Sequence, residues 1–98
     1  LKGRAAHPTA LFAFSDYVAL GVMQAVREAG LRVPGDIAVV GYDDIDFSSW
    51  LETPLTTVQV PKRRIGEEVV ALLVRKMEGE ECREQIKLPV ELVVRSSS

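Results

Sequence analysis

A chain of 98 residues, 47% apolar and 27% charged, has the size and composition of one small globular domain rather than of a disordered segment. Its 12 basic and 14 acidic residues leave a net charge of -2, too little to draw the chain as a whole to nucleic acid or to an anionic membrane. The single cysteine, Cys82, sits among Glu80, Glu81 and Arg83 with no second thiol, which excludes disulfide and zinc scaffolds and suits a reducing compartment.

The stretch LKGRAAHPTA has no hydrophobic core of a signal peptide, and no apolar run approaches the roughly 20 residues that cross a bilayer. A cytoplasmic location follows as the expectation. After the Ala6–Thr9 lead-in, Ala10–Phe14 is a continuous apolar run bounded by turn formers, the pattern of a strand buried on both faces. Ser15 or Asp16 then caps a helix that runs without proline to Ala29, with Gly30 placed for a left-handed C-terminal cap. At about 100° per residue, Val18, Val22, Ala25, Val26 and Ala29 share the face expected to pack on a sheet. Leu20, Met23 and Arg27 fall on the opposite face, an apolar patch in want of a partner.

Pro34-Gly35-Asp36 turns the chain into the β-branched run Ile37–Val40, which completes a βαβ unit with parallel strands. An irregular segment from Ile45 to Pro54 carries Phe47, Trp50 and Leu51. A third strand is expected over Thr56–Val60, and Pro61 opens a helix that ends near Gly79 with Ile65, Val69, Leu72, Leu73 and Met77 on one wide apolar face. Glu84–Arg95 reads as a bent or edge strand around Pro89, and Ser96–Ser98 as a trivial tail.

Two acids, Asp43 and Asp44, follow the second strand directly. In an open parallel sheet the residues just past the strands' carboxyl ends line a ligand crevice, and Ser15, Asp43 and Gln59 or Val60 stand at three such ends. An ionised carboxylate accepts hydrogen bonds from adjacent hydroxyls or a ring N–H, so a sugar or a nucleobase suits Asp43 and a phosphate does not. Against this stands the turn-forming role of aspartate, the better account of Asp44. Asp43, Asp44 and Asp46 lack the glycine and closing glutamate of a calcium loop, so no metal is expected, and no cofactor. His7 has no nucleophile in any recognisable motif, and no catalytic residue is expected. Lys62, Arg63 and Arg64 form a solvated face, with Arg64 paired to Glu68.

The blocks PTALFA (8–13) with Asp16, ALG (19–21), AGLRVP (29–34), DIAVVGYDD (36–44), PLTTV (54–58) and LPVELVVR (88–95) together resemble the C-terminal part of a LacI/GalR-type transcriptional regulator. The resemblance implies an α/β fold: the parallel-sheet βαβ layers of a periplasmic-binding-protein-like (type I) core, present only in part. Residues 8–58 and 89–96 would belong to its C-terminal lobe and 61–88 to its N-terminal lobe, without the helix-turn-helix headpiece that reads operator DNA. It further implies an effector held between two lobes, with Asp43 as the acid that binds it. Ser15 and Val60 stand where many sugar-responsive members have Asn and Gln, each a departure that loses an amide for sugar hydroxyls. Leu20, Met23 and Ser48, Ser49, Trp50 and Leu51 match the region by which C-terminal lobes pair in homodimers. A regulator acting by allostery, and no enzyme, is the function implied; the alternative is a periplasmic-type sugar-binding transport receptor.

Overall fold

A computed structural model describes residues 7–81 and 85–98. The expectations for the first six residues and for Cys82, Arg83 and the start of the last strand at Glu84 lie outside the described residues.

Strand β1 (Ala10–Phe12) and strand β2 (Ala38–Val40) pair in parallel, Ala10 opposite Ala38 and Phe12 opposite Val40, joined by helix α1 (Asp16–Glu28). The βαβ unit is thus the one its sequence pattern predicts. Ser15, in extended backbone, accepts a 3.2 Å hydrogen bond from Val18 N and caps α1. At the other end Gly30 adopts φ +78° while its N–H reaches Arg27 O and that of Leu31 reaches Val26 O, the paired closure that a left-handed residue permits. Just beyond, Arg32 N and the Arg32 guanidinium both bond Asp36, and the backbone donor above all holds the Asp36 carboxyl below its ordinary range.

The buried face of α1 is Asp16, Ala19, Met23 and Val26, not the expected Val18, Val22, Ala25, Val26 and Ala29. Val26 is common to both sets and Val22 is half-buried, but Val18 is 48% exposed and Ala25 and Ala29 face solvent. Apolar periodicity alone turned the face toward Val18, because it could not credit the inside to an aspartate that finds hydrogen-bond donors there. The core joins Ala13, Ala19, Met23, Val26, Ile37, Val39 and Leu55, with Leu11, Val22, Leu31, Val33 and Leu51 packed on it. Met23, expected on an outward patch, is therefore a core residue at 4% exposure.

Past β2 the chain forms a short 3-10 helix, Asp46–Ser49, and then strand β3 (Thr57–Gln59). Parallel bridges Val40–Thr56 and Asp43–Gln59 tie the end of β2 to β3, and β3 pairs antiparallel with strand β4 (Glu91–Val93). The last strand is thus only three residues long and starts after Pro89, which has no N–H for a ladder. β1 is not buried on both faces as expected: Phe12 and Phe14 are 69% and 89% exposed, and among the described residues only β2 pairs with that strand.

Ser96–Ser98 is no idle tail. Ser97 is fully buried; its N–H donates to Pro54 O, its carbonyl accepts from Val39 N, and its hydroxyl accepts from Thr56 N while donating to Val39 O at 2.6 Å.

By its contacts the chain divides into two units, one comprising the chain through Gln59 together with Glu91–Ser98, the other Val60–Val90. The second unit is built on helix α2 (Lys62–Met77), which has no buried residue; Val69, Leu73 and Met77 are more than half exposed. Among the described residues an i,i+4 ion pair joins Arg63 and Glu67 at 3.2 Å, one residue earlier than the expected Arg64–Glu68.

Candidate functional site

The parallel register brings the ends of β1 and β2 side by side, and Asp16 N donates to Tyr42 O at 3.0 Å just past the last paired residues. Phe14 and Ser15 therefore stand beside Tyr42 and Asp43. With Phe12 they line a cavity of about 500 Å³. Two phenylalanines and a tyrosine give it apolar walls, and one hydroxyl and one carboxylate give it polarity. This is the composition of a small-molecule site, mostly apolar with a few fixed polar groups.

Asp43 and Asp44 both have positive φ, 120° and 54°, a region that non-glycine residues rarely occupy unless their surroundings impose it. What imposes it is visible on all sides. Asp43 N donates to Val58 O at 2.9 Å, and Asp44 N donates to Thr57 Oγ1 at 3.3 Å. The Asp44 carboxylate, largely buried, accepts from Arg95 Nη1 at 2.9 Å and Gln59 Nε2 at 3.2 Å, and Arg95 also reaches Leu55 O. Asp44 thus holds the turn, as its sequence context implies, while Asp43 faces the cavity.

Of the four residues expected at the cleft, Ser15 and Asp43 line one cavity. Gln59 lies beside Asp43 in the backbone but directs its amide to Asp44, where it supports the turn. Val60 opens the second unit, its carbonyl accepting from Lys62 N.

The residue that sequence reasoning undervalued is Asp16. It has no exposed surface, and its carboxylate accepts from Ile45 N at 2.9 Å, Ser48 Oγ at 2.5 Å and Thr57 Oγ1 at 2.6 Å. The one hint in the sequence was its place as an alternative cap to Ser15. Ser48, expected at a dimer surface, is instead 1% exposed and committed to Asp16.

On the other side of α1 runs a groove of about 260 Å³ lined by Leu20, Met23, Gln24, Arg27, Leu51 and Glu52. Beside it Trp50 is 72% exposed and meets Phe47 edge-on with ring centroids 6.2 Å apart, as Phe47 meets Tyr17 at 6.4 Å. Ser49 is exposed and bonds Asp46 O. Among the described residues no group of His, Cys, Asp or Glu is placed to hold a metal ion, and no helix is long and apolar enough to cross a membrane.

Comparison with known proteins adds the following. The family model for the periplasmic binding protein-like domain matches residues 1–98. The HTH-type transcriptional repressor PurR of Aliivibrio fischeri (strain MJ11) is 42% identical over 91 residues, which are 92% of this chain but 27% of that protein. The lactose operon repressor of Rhizobium radiobacter is 42% identical over 91 residues, covering 93% of this chain and 80% of its own. The crystal structure of the Lac repressor dimer bound to operator and the anti-inducer ONPF superposes with a TM-score of 0.84 at 43% identity, over 93% of this chain and 32% of that one. The chain thus spans about a quarter of the length of the PurR relatives and most of that of the Rhizobium radiobacter protein.

Proposed function

The chain belongs to the periplasmic binding protein-like domain family, as part of the effector-binding domain of a LacI-type regulator, and from that premise we propose that its Asp43 cavity takes a neutral, donor-rich effector. A carbohydrate or a nucleobase has the required chemistry. The observation that carries this reading is the pairing of Asp43 with Ser15 in one apolar-walled cavity. The carboxylate accepts from hydroxyl or ring N–H groups, the Ser15 lone pair is used by Val18 N while its O–H can donate, and the exposed Phe12 and Phe14 rings offer a face to stack on. A transport receptor of the same fold is the lesser reading, since the relatives at 42% identity are named repressors.

In the whole protein, effector binding would bias the relative placement of two lobes and so the operator affinity of a headpiece outside residues 1–98, in the cytoplasm. Asp43→Ala should weaken the effector by about 1 to 3 kcal/mol, as for a lost charge-assisted hydrogen bond. Isothermal calorimetry with a panel of hexoses, disaccharides and purine bases measures this, and an unchanged affinity for the ligand found would remove Asp43 from the site.

Homodimers would form through the groove edge and its neighbours: Leu20, Leu51, Trp50 and Ser49 at the surface, with Met23 supporting from below. The pattern of an aromatic anchor beside an aliphatic groove is that of an interface centre. Leu20→Arg places a charge there, and sedimentation equilibrium should show monomers at concentrations where the parent protein is dimeric; dimers that persist would assign the groove another role.

A further inference from the structure

The buried carboxylate of Asp16 stands between the two surfaces just described, and it touches neither a ligand cavity nor solvent. We propose that Asp16 is a positioning residue that sets the Asp43 turn and the Asp46–Ser49 segment as one body, so that displacement of either is felt by the other. Its bearing on function rests on the reading of Asp43 as the effector's acid.

The geometry supplies two arms. In the first, Thr57 Oγ1 donates to Asp16 Oδ1, which fixes the hydroxyl rotor and turns an oxygen lone pair to the incoming Asp44 N–H. Ile45 N bonds Asp16 Oδ2 directly, so the backbone on the far side of Asp43 and Asp44 is anchored to the carboxylate twice, once through Thr57. That anchoring holds two consecutive residues at positive φ, a conformation that does not persist without surrounding restraint. In the second arm, Ser48 Oγ donates to the same Oδ2, fastening the 3-10 helix that carries Phe47 and leads into Trp50 and Leu51. Because Ile45 and Ser48 share one oxygen atom, and Ser48 N also bonds Ile45 O, neither arm shifts without straining the other.

The test is amide hydrogen exchange on the whole protein as it is encoded, with no ligand added, so it stands apart from whether Asp43 binds one. Asp16→Asn keeps the shape but faces an N–H₂ toward one of three donors. Exchange of the 43–50 amides is expected to rise at least tenfold, while amides of β1 and the second half of α1 keep their protection. A uniform rise everywhere would reduce Asp16 to a general stabiliser, and no rise would exclude the role; either overturns the proposal. Should Asp16→Asn fail to fold, Thr57→Val and Ser48→Ala cut one arm each. The first is expected to loosen Asp44 and Ile45 most, the second Ser48 and Trp50 most, with a smaller rise in the other arm; strictly independent responses would overturn the coupling.

Discussion

Gly41→Ala is expected to cost about 3 to 5 kcal/mol of folding stability, the sum of an overpacking term and of hydrogen bonds lost at a buried carboxylate. A Cβ built on Gly41 lies 2.3 Å from Asp16 Oδ1, 3.0 Å from Leu55 Cδ2 and 3.3 Å from Asp16 Cα. The first contact forces the carboxylate to move, and the third shows that the backbone behind it blocks the retreat. Moving the carboxylate unmakes its bonds to Ile45 N, Ser48 Oγ and Thr57 Oγ1 in a place without water to replace them. Gly41 is itself buried at the point where β2 turns toward Asp43, so there is no loose segment to absorb the strain. Gly21→Ala is the control with the opposite sign. It sits on the exposed side of α1 with nothing within 4 Å of an added Cβ, and alanine there should stabilise by about 0.5 to 1 kcal/mol. Urea denaturation of the three proteins measures both differences; a loss under 1 kcal/mol for Gly41→Ala would mean that the Asp16 network yields without cost.

The contrast between what residue patterns foretell and what they miss runs along one line. Strand, helix and strand over Ala10–Val40 were legible because apolar periodicity, a Ser15 cap and a Gly30 terminator all act through neighbours in the chain. The place of Asp43 past the end of β2, beside the cavity, was legible because the end of a parallel strand is defined by the strand itself. The missed features are long-range polar ones. Asp16 meets partners 29 to 41 residues away, and Ser97 meets Val39 and Thr56 at separations of 58 and 41, so nothing local distinguishes either from a surface residue. The rotated face of α1 is the same error seen from the helix. A hydrophobicity count assigns Asp16 outward and carries Met23 out with it, whereas a buried acid with donors in place pulls positions 16, 19, 23 and 26 inward together. Gln59 makes the point for the site: a strand-end amide has the chemistry of a ligand contact, but Asp44 already claims it.

Ser97→Ala should destabilise the protein by about 2 to 4 kcal/mol, a large effect for the loss of one oxygen. The hydroxyl is enclosed and works in both directions, accepting from Thr56 N at 2.8 Å and donating to Val39 O at 2.6 Å. Alanine leaves the flanking main-chain bonds Ser97 N to Pro54 O and Val39 N to Ser97 O in place, so the peptide stays docked and keeps water from the vacated position. The Thr56 N–H and one lone pair of Val39 C=O are then buried without a partner, each at a cost of about 1 to 3 kcal/mol, the carbonyl at the low end because of its second lone pair. Thr56 also bridges to the end of β2, and Val39 lies in the core beneath α1, so the loss is felt by the central strand that carries Asp43 at its tip. Ser96→Ala is the comparison that isolates burial from composition. Ser96 is exposed one residue away, and its change should stay within about 0.5 kcal/mol. Thermal unfolding of the two variants separates the alternatives: equal midpoints would make the Ser97 hydroxyl dispensable, whereas a drop confined to Ser97→Ala places Ser97 among the supports of the strand that carries Asp43.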